Sequence, residues 1–156
     1  MAEDDVIEEE LNEETCWLLL AGADVGRLAV ATLNCPDVFP VNHVVDDRTI
    51  VFRTGPGTKL DSALSAPAVA YEVDGHDRDC GHAWSVVVKG VAREISGDDV
   101  VPATDALPLV SWHGGYKLRW IRITPHQVTG RRFRVAKPTQ HRTLGGGGAP
   151  RRPPPR

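Results

Sequence analysis

The sequence predicts a mainly β fold, an antiparallel barrel or sandwich with a few short helices. Three observations carry this. About seven short runs are rich in β-branched residues, turn-forming residues separate them, and helical patterning is confined to brief stretches. A chain of 156 residues, 41% apolar and 25% charged, is enough for one domain with one hydrophobic core.

The elements follow in order. Residues 1–12 read as a solvated acidic tail carrying Glu3, Asp4, Asp5, Glu8, Glu9 and Glu10. Glu13 to Ala21 reads as a short helix with Leu11, Cys16, Leu19 and Leu20 near one face, stopped by Gly22. Trp17, Leu18 and Leu20 read as core or dimer contacts. Val25 to Leu33, Val38 to Val45 and Thr49 to Thr54 have the spacing of an antiparallel meander, with turns at 34–37 and 46–48. Gly55-Pro56-Gly57 breaks the pattern, and Thr58 to Leu64 reads as a helix capped by Thr58.

Ala68 to Asp74 is a fourth strand, followed by a polar loop from Gly75 to His82. Trp84 to Ser96 is long and β-branched, and Gly97 to Ala106 has a helical look. Leu118 to Ile123 and Gln127 to Phe133 close the set as a pair around Pro125. The folded domain is thus placed at 13–136, and 137–156, dominated by Gly, Pro and Arg, reads as a disordered tail.

Composition excludes several classes. A net charge of −3 lacks the basic surplus that nucleic acid or an acidic membrane demands. No apolar run is long enough to span a bilayer, and the acidic start does not resemble a secretory signal. Three cysteines at unrelated spacings, Cys16, Cys35 and Cys80, fit free thiols in a reducing cytoplasm.

The segment with most chemistry is Phe52-Arg53-Thr54-Gly55-Pro56-Gly57-Thr58-Lys59-Leu60. It joins a strand end, a glycine-flanked turn and a helix start. Arg53 offers a guanidinium fork, Lys59 a point charge, Thr54 and Thr58 hydroxyls, and a helix start offers N–H groups, a set suited to a phosphate dianion. It is not a Walker loop, whose spacing is missing. Read blandly, the same residues are a strand–turn–helix connection bearing two ordinary surface cations.

Gly26-Arg27-Leu28-Ala29, Phe39-Pro40-Val41-Asn42-His43-Val44-Val45, Val51-Phe52-Arg53-Thr54 and Gly57-Thr58-Lys59-Leu60 together resemble the pyridoxamine 5′-phosphate oxidase-like family. Trp84 to Gly90, Ile121-Arg122-Ile123 and Val128 to Phe133 continue the likeness, which spans roughly 13–134 in the family's order. The resemblance implies a split β-barrel that dimerises, with FMN in two grooves between subunits; some relatives take a deazaflavin coenzyme or haem instead. It implies that Arg53, Thr54 and Lys59 hold the phosphate, within a segment including Thr58 and Leu60. Pro40, Val41 and Asn42 then run beside the isoalloxazine, and Trp84, Ser85 and Trp112 reach the cofactor from the barrel wall or the partner chain. Arg131, Arg132 and Arg134 are not aligned to the basic cluster of the true vitamin B6 oxidase, so that substrate is not favoured.

The expected function is a flavin-dependent oxidoreductase acting on a small molecule. A binding protein that stores or shields flavin, deazaflavin or haem is the alternative, and a plain dimeric barrel with an empty groove is a weaker third. No catalytic residue is assigned. His43 reads more readily as a half-exposed strand histidine than as an acid. His76, Asp77, Asp79, Cys80 and His82 are metal-ligand types at a spacing that fits no zinc pattern. Trp112 to Tyr116 reads equally as a flavin lid or as packing under a loop. Cys16 and Cys35 lack the base or cation that would activate a thiol.

Overall fold

A computed structural model describes residues 8–32, 35–55, 60, 64–65, 68–77, 79–95 and 119–135. Among them the chain runs β1 (Glu8–Leu11), α1 (Glu13–Ala21), β2 (Val25–Thr32), β3 (Cys35–Asp46), β4 (Thr49–Thr54), β5 (Ala68–Asp77), β6 (His82–Ile95) and β7 (Arg119–Arg134). Every pairing is antiparallel. The strands follow the order β1-β7-β4-β3-β2-β5-β6, and β6 pairs back onto β7 to close a ring. Closure removes most of the exposed edges that an open sheet must protect.

β7 gives the ring its split. Its Arg119–Ile123 half pairs with β4, whereas Gly130–Phe133 has left β4 and pairs with β1. The molecule is therefore a split β-barrel of antiparallel strands. α1 packs on β7, β3 and β6 and puts Cys16, Trp17 and Leu20 into the core, while Leu18 is 69% exposed. Asn12 starts the helix by accepting from the Thr15 N–H at 2.8 Å, and Glu13 and Glu14 favour its positive end. Alternation does the rest. Leu28 and Val30, Ile50 and Phe52, Val86 and Val88, and Ile121 and Ile123 all point inward and are buried. Each such side chain contributes about 1.5–3 kcal/mol of burial free energy.

β3 starts at Cys35, inside the expected turn, and three further elements differ from the sequence reading. Glu8–Leu11, expected within a solvated tail, is edge strand β1, its acids facing the basic end of β7: Glu8 meets Arg131 at 2.8 Å and Glu9 meets Arg132 at 4.0 Å. The polar loop expected over 75–82 is shorter, because β5 runs on to Asp77 and β6 already starts at His82. The expected closing pair around Pro125 is one continuous strand. Proline cannot donate to a ladder, but it sits at a bulge, where Lys89 faces Gln127 and Gly90 faces Pro125. The expected helices at 58–64 and 97–106 and the tail at 137–156 lie outside the described residues, Leu60 and Leu64 apart, as do residues 1–7.

The β3–β4 turn carries Asp47 at φ 43° and Arg48 at φ 55°, the left-handed pair that a tight hairpin with matched twist requires. A side chain there costs more than glycine does, and the Arg48 to Glu13 contact at 3.5 Å is exposed and worth little. Arg48→Gly is expected to stabilise the protein by about 1 kcal/mol, read as a higher urea midpoint with an unchanged slope.

Candidate functional site

Strand alternation sorts the expected site residues. On β4, Ile50, Phe52 and Thr54 face the interior, so Arg53 faces out. On β3, Val41 and His43 face in, and Pro40 and Asn42 face out. Arg53 pairs with Trp120 across β4 and β7, and Asn42 pairs with Val25 across β3 and β2. One outer-face row thus reads Val25, Asn42, Arg53 and Trp120. The Arg53 guanidinium lies 4.7 Å from the centroid of the Trp120 ring, close enough for a cation–π attraction that fixes the fork. Thr54, from the same motif, turns inward and is 5% exposed; its hydroxyl donates to the Gly55 carbonyl at 3.5 Å. Leu60 is buried in the core cluster. Thr58, Lys59 and Trp112 lie outside the described residues.

Trp84 and Ser85 also part company. Trp84 packs inward, its indole on Gly75, where a Cβ would collide with the ring. Ser85 faces out beside Arg131 and Asp74. Along β6, Ser85 stands ten positions from Ile95, the partner of Trp120. That spacing corresponds to about 30 Å of strand. In the other direction round the ring, β5, β2 and β3 stand between Ser85 and β4, about 19 Å at the usual strand spacing, so within one chain Ser85 and Arg53 do not meet.

Main-chain geometry adds to the row. The His43 N–H donates to the Asp24 carbonyl at 3.2 Å on the β2 side, so successive alternation turns the Asn42 N–H toward the β4 side. Among the described residues, pairing of β3 with β4 stops at His43 and Phe52. Pro40 to Asn42 thus border an edge where the ladder has ended, next to a cation.

His43 is a correction: it is 3% exposed, not half-exposed. Its Nε2–H donates to the Leu20 carbonyl at 2.9 Å, leaving Nδ1 to accept from the Tyr71 hydroxyl at 2.8 Å. The Tyr71 oxygen is also 3.3 Å from the Val41 carbonyl, and the two rings meet edge-on at 5.1 Å. Gly26 explains itself here, because a Cβ would overlap the hydroxyl end of Tyr71. The partners of His43 come from α1 and β5, distant in sequence, so no local signal announces them. Trp120 was missed for the same reason: only strand register brings it under Arg53.

Burial holds the imidazole of His43 below its ordinary value of 6.5, against smaller upward contributions from the Leu20 carbonyl and Asp24. The unfolded chain then takes up a proton that the folded chain refuses. The contribution of His43 is complete above about pH 6.5 and is lost as pH falls toward the folded-state value. His43→Gln is expected to flatten the stability curve between about pH 7 and about pH 5 relative to the parent protein; parallel urea melts read this directly.

Asp77 accepts from the N–H groups of Asp79 and Cys80 at 3.0 and 3.2 Å, closing the β5–β6 turn. Its proximity pushes the Cys80 thiol up. Among the described residues no group of three His, Cys, Asp or Glu side chains is arranged to hold a metal ion, and no helix is long and apolar enough to cross a membrane. Burial likewise pushes the Cys16 thiol up, which disfavours a nucleophilic role.

Known proteins share this architecture. An uncharacterized protein of Mycobacterium tuberculosis strain H37Rv is 35% identical over 129 residues, covering 80% of this chain and 84% of that protein. The structure of an FAD binding protein from Mycobacterium smegmatis superposes with a TM-score of 0.64 at 38% identity, over 81% of this chain and 99% of the other. An FAD-binding protein from Mesorhizobium loti gives a TM-score of 0.69 at 27% identity, over 82% and 98%. Residues 12–132 match the family model described as pyridoxamine 5′-phosphate oxidase, and the chain belongs to that family.

Proposed function

We propose that this protein binds a flavin, FMN or FAD, on the outer face that carries Asn42, Arg53 and Trp120, and that it works as a flavin-dependent oxidoreductase on a small molecule. The observation that carries the reading is the Arg53 fork, held over Trp120 beside the strand edge at Pro40 to Asn42. A flavin needs a cation for its phosphate and polar main-chain groups along its ring, and this face offers both. Lys59 and Thr58 would complete the phosphate shell, and Thr54 and Leu60 would support it from the core. The FAD-binding proteins of M. smegmatis and M. loti support a flavin over a deazaflavin or haem.

The reading includes a homodimer in the cytoplasm. Ser85 on β6 and Arg53 on β4 are kept apart on one barrel by β5, β2 and β3, so a groove using both takes them from different subunits. Ser85 and Trp112 would approach the flavin in that setting, while Trp84 stays packed against the core. A bound flavin supplies hydride and electron transfer. The chain's own residues bind, orient and tune it: Arg53 by charge, Asn42 by its amide and main-chain N–H. Reduction of a small molecule or oxidation of a pyridoxamine-phosphate-like amine both fall within this chemistry.

The alternative is storage or shielding of the cofactor without turnover. It is favoured by His43, the neighbour of Asn42 in β3, whose two ring nitrogens are already committed inside the core. A visible spectrum of the purified protein, followed by titration with FMN and FAD, tests the binding. Turnover with NADPH or reduced deazaflavin and a panel of acceptors separates enzyme from store. A protein that takes up neither flavin overturns the flavin reading and leaves haem, deazaflavin or an empty barrel.

A further inference from the structure

We propose that the buried Tyr71–His43 pair is a positioning element for the Val41–Asn42 peptide, and that through this peptide it sets how strongly the Asn42 N–H donates to the flavin. The inference rests on the flavin reading of this face for its ligand, but the coupling is a property of the chain alone.

The Val41 carbonyl and the Asn42 N–H are opposite ends of one peptide unit. The carbonyl end lies 3.3 Å from the Tyr71 hydroxyl inside the barrel. The N–H end points to the edge where the β3–β4 ladder has ended. A peptide whose carbonyl accepts a stronger hydrogen bond is more polarised, and its N–H becomes a better donor. The interior contact thus reaches the outer face without any side chain passing through the sheet.

Tyr71 has one hydroxyl proton and two acceptors for it. With His43 neutral, the shorter bond goes to Nδ1 at 2.8 Å, and the hydroxyl gives only a longer contact to the Val41 carbonyl, which also faces Gly26 in the β2–β3 ladder. When His43 takes a proton, Nδ1 becomes a donor. The Tyr71 oxygen then accepts from it, and the hydroxyl proton turns to the Val41 carbonyl. No proton crosses the core in this exchange; the hydroxyl rotates. Around the pair, Asp24 and the carbonyl end of α1 at Leu20 favour the imidazolium, burial opposes it, and Arg27 and Glu72 act on Tyr71 from β2 and β5. Gly26 leaves the space that the hydroxyl needs.

The test follows the Asn42 amide by NMR in the flavin-free protein while FMN and FAD affinities are measured from about pH 7.5 to about pH 5. The Asn42 amide shift is expected to titrate with the His43 ring signals, and flavin affinity is expected to rise by about three-fold toward the acid end. In Tyr71→Phe both responses disappear, although the imidazole remains. His43→Gln, which can still donate to Leu20 and accept from Tyr71, gives a pH-independent amide and affinity. It also keeps the question open to measurement if Tyr71→Phe does not fold. An Asn42 amide that ignores His43 protonation overturns the coupling, whether or not flavin binds. A titrating amide in a protein that binds no flavin upholds the coupling and overturns the flavin reading instead.

Discussion

Arg53→Ala is expected to weaken FMN binding by about 10- to 100-fold, the loss that follows when a charge-assisted hydrogen bond to phosphate is removed. The fold should survive the change. Arg53 is on the outer face of β4, only half-buried, and its neighbours Phe52 and Thr54 supply the interior contacts. Its removal also releases Trp120 from the cation–π contact at 4.7 Å, so the tryptophan fluorescence of the ligand-free variant should change. Arg53→Lys keeps the charge but not the fork and should recover only part of the affinity. Calorimetric titration of the three proteins with FMN reads the order directly, and equal affinities would remove Arg53 from the phosphate site.

Gly90→Ala is expected to cost about 3 kcal/mol of stability, at the upper end of what overpacking usually costs. A Cβ at Gly90 would overlap the Thr124 carbonyl oxygen and come within 3.0 Å of the Pro125 Cα. Both obstacles are backbone. They sit at the bulge where β6 and β7 change register, so neither can swing aside as a long side chain would. The same substitution at Gly22, whose nearest contacts are at 3.5 and 3.7 Å, should be mild by comparison. Urea melts of the two variants make the comparison, and a Gly90→Ala midpoint close to that of the parent would contradict the bulge assignment.

The helix Glu13–Ala21 and the strand Thr49–Thr54 have the bounds that patterning predicts. In both, the local signal and the tertiary demand agree: an acidic first turn ahead of an apolar run, and a short apolar run bounded by turn residues whose Ile50, Val51 and Phe52 are all buried. β1 was not legible, because four acidic or apolar residues become a strand only when the basic end of β7 arrives from far along the chain. Pro125 reads as a break locally and becomes a bulge only with Gly90 opposite. The family likeness grouped Arg53 with Thr54 and Trp84 with Ser85 as site residues. The period of two in a strand separates each pair onto opposite faces. His43 shows the same limit from inside the core, where its role depends on Leu20, Val41 and Tyr71 together.

Calorimetric titration of the wild-type protein with FMN and with riboflavin, side by side, isolates the phosphate from the ring. A flavin anchored by Arg53 and its neighbours binds as FMN about 100-fold more tightly than as riboflavin, with the difference shrinking as salt is raised. Equal affinity for the two, or no heat with either, would contradict a flavin phosphate held on the Asn42–Arg53–Trp120 face.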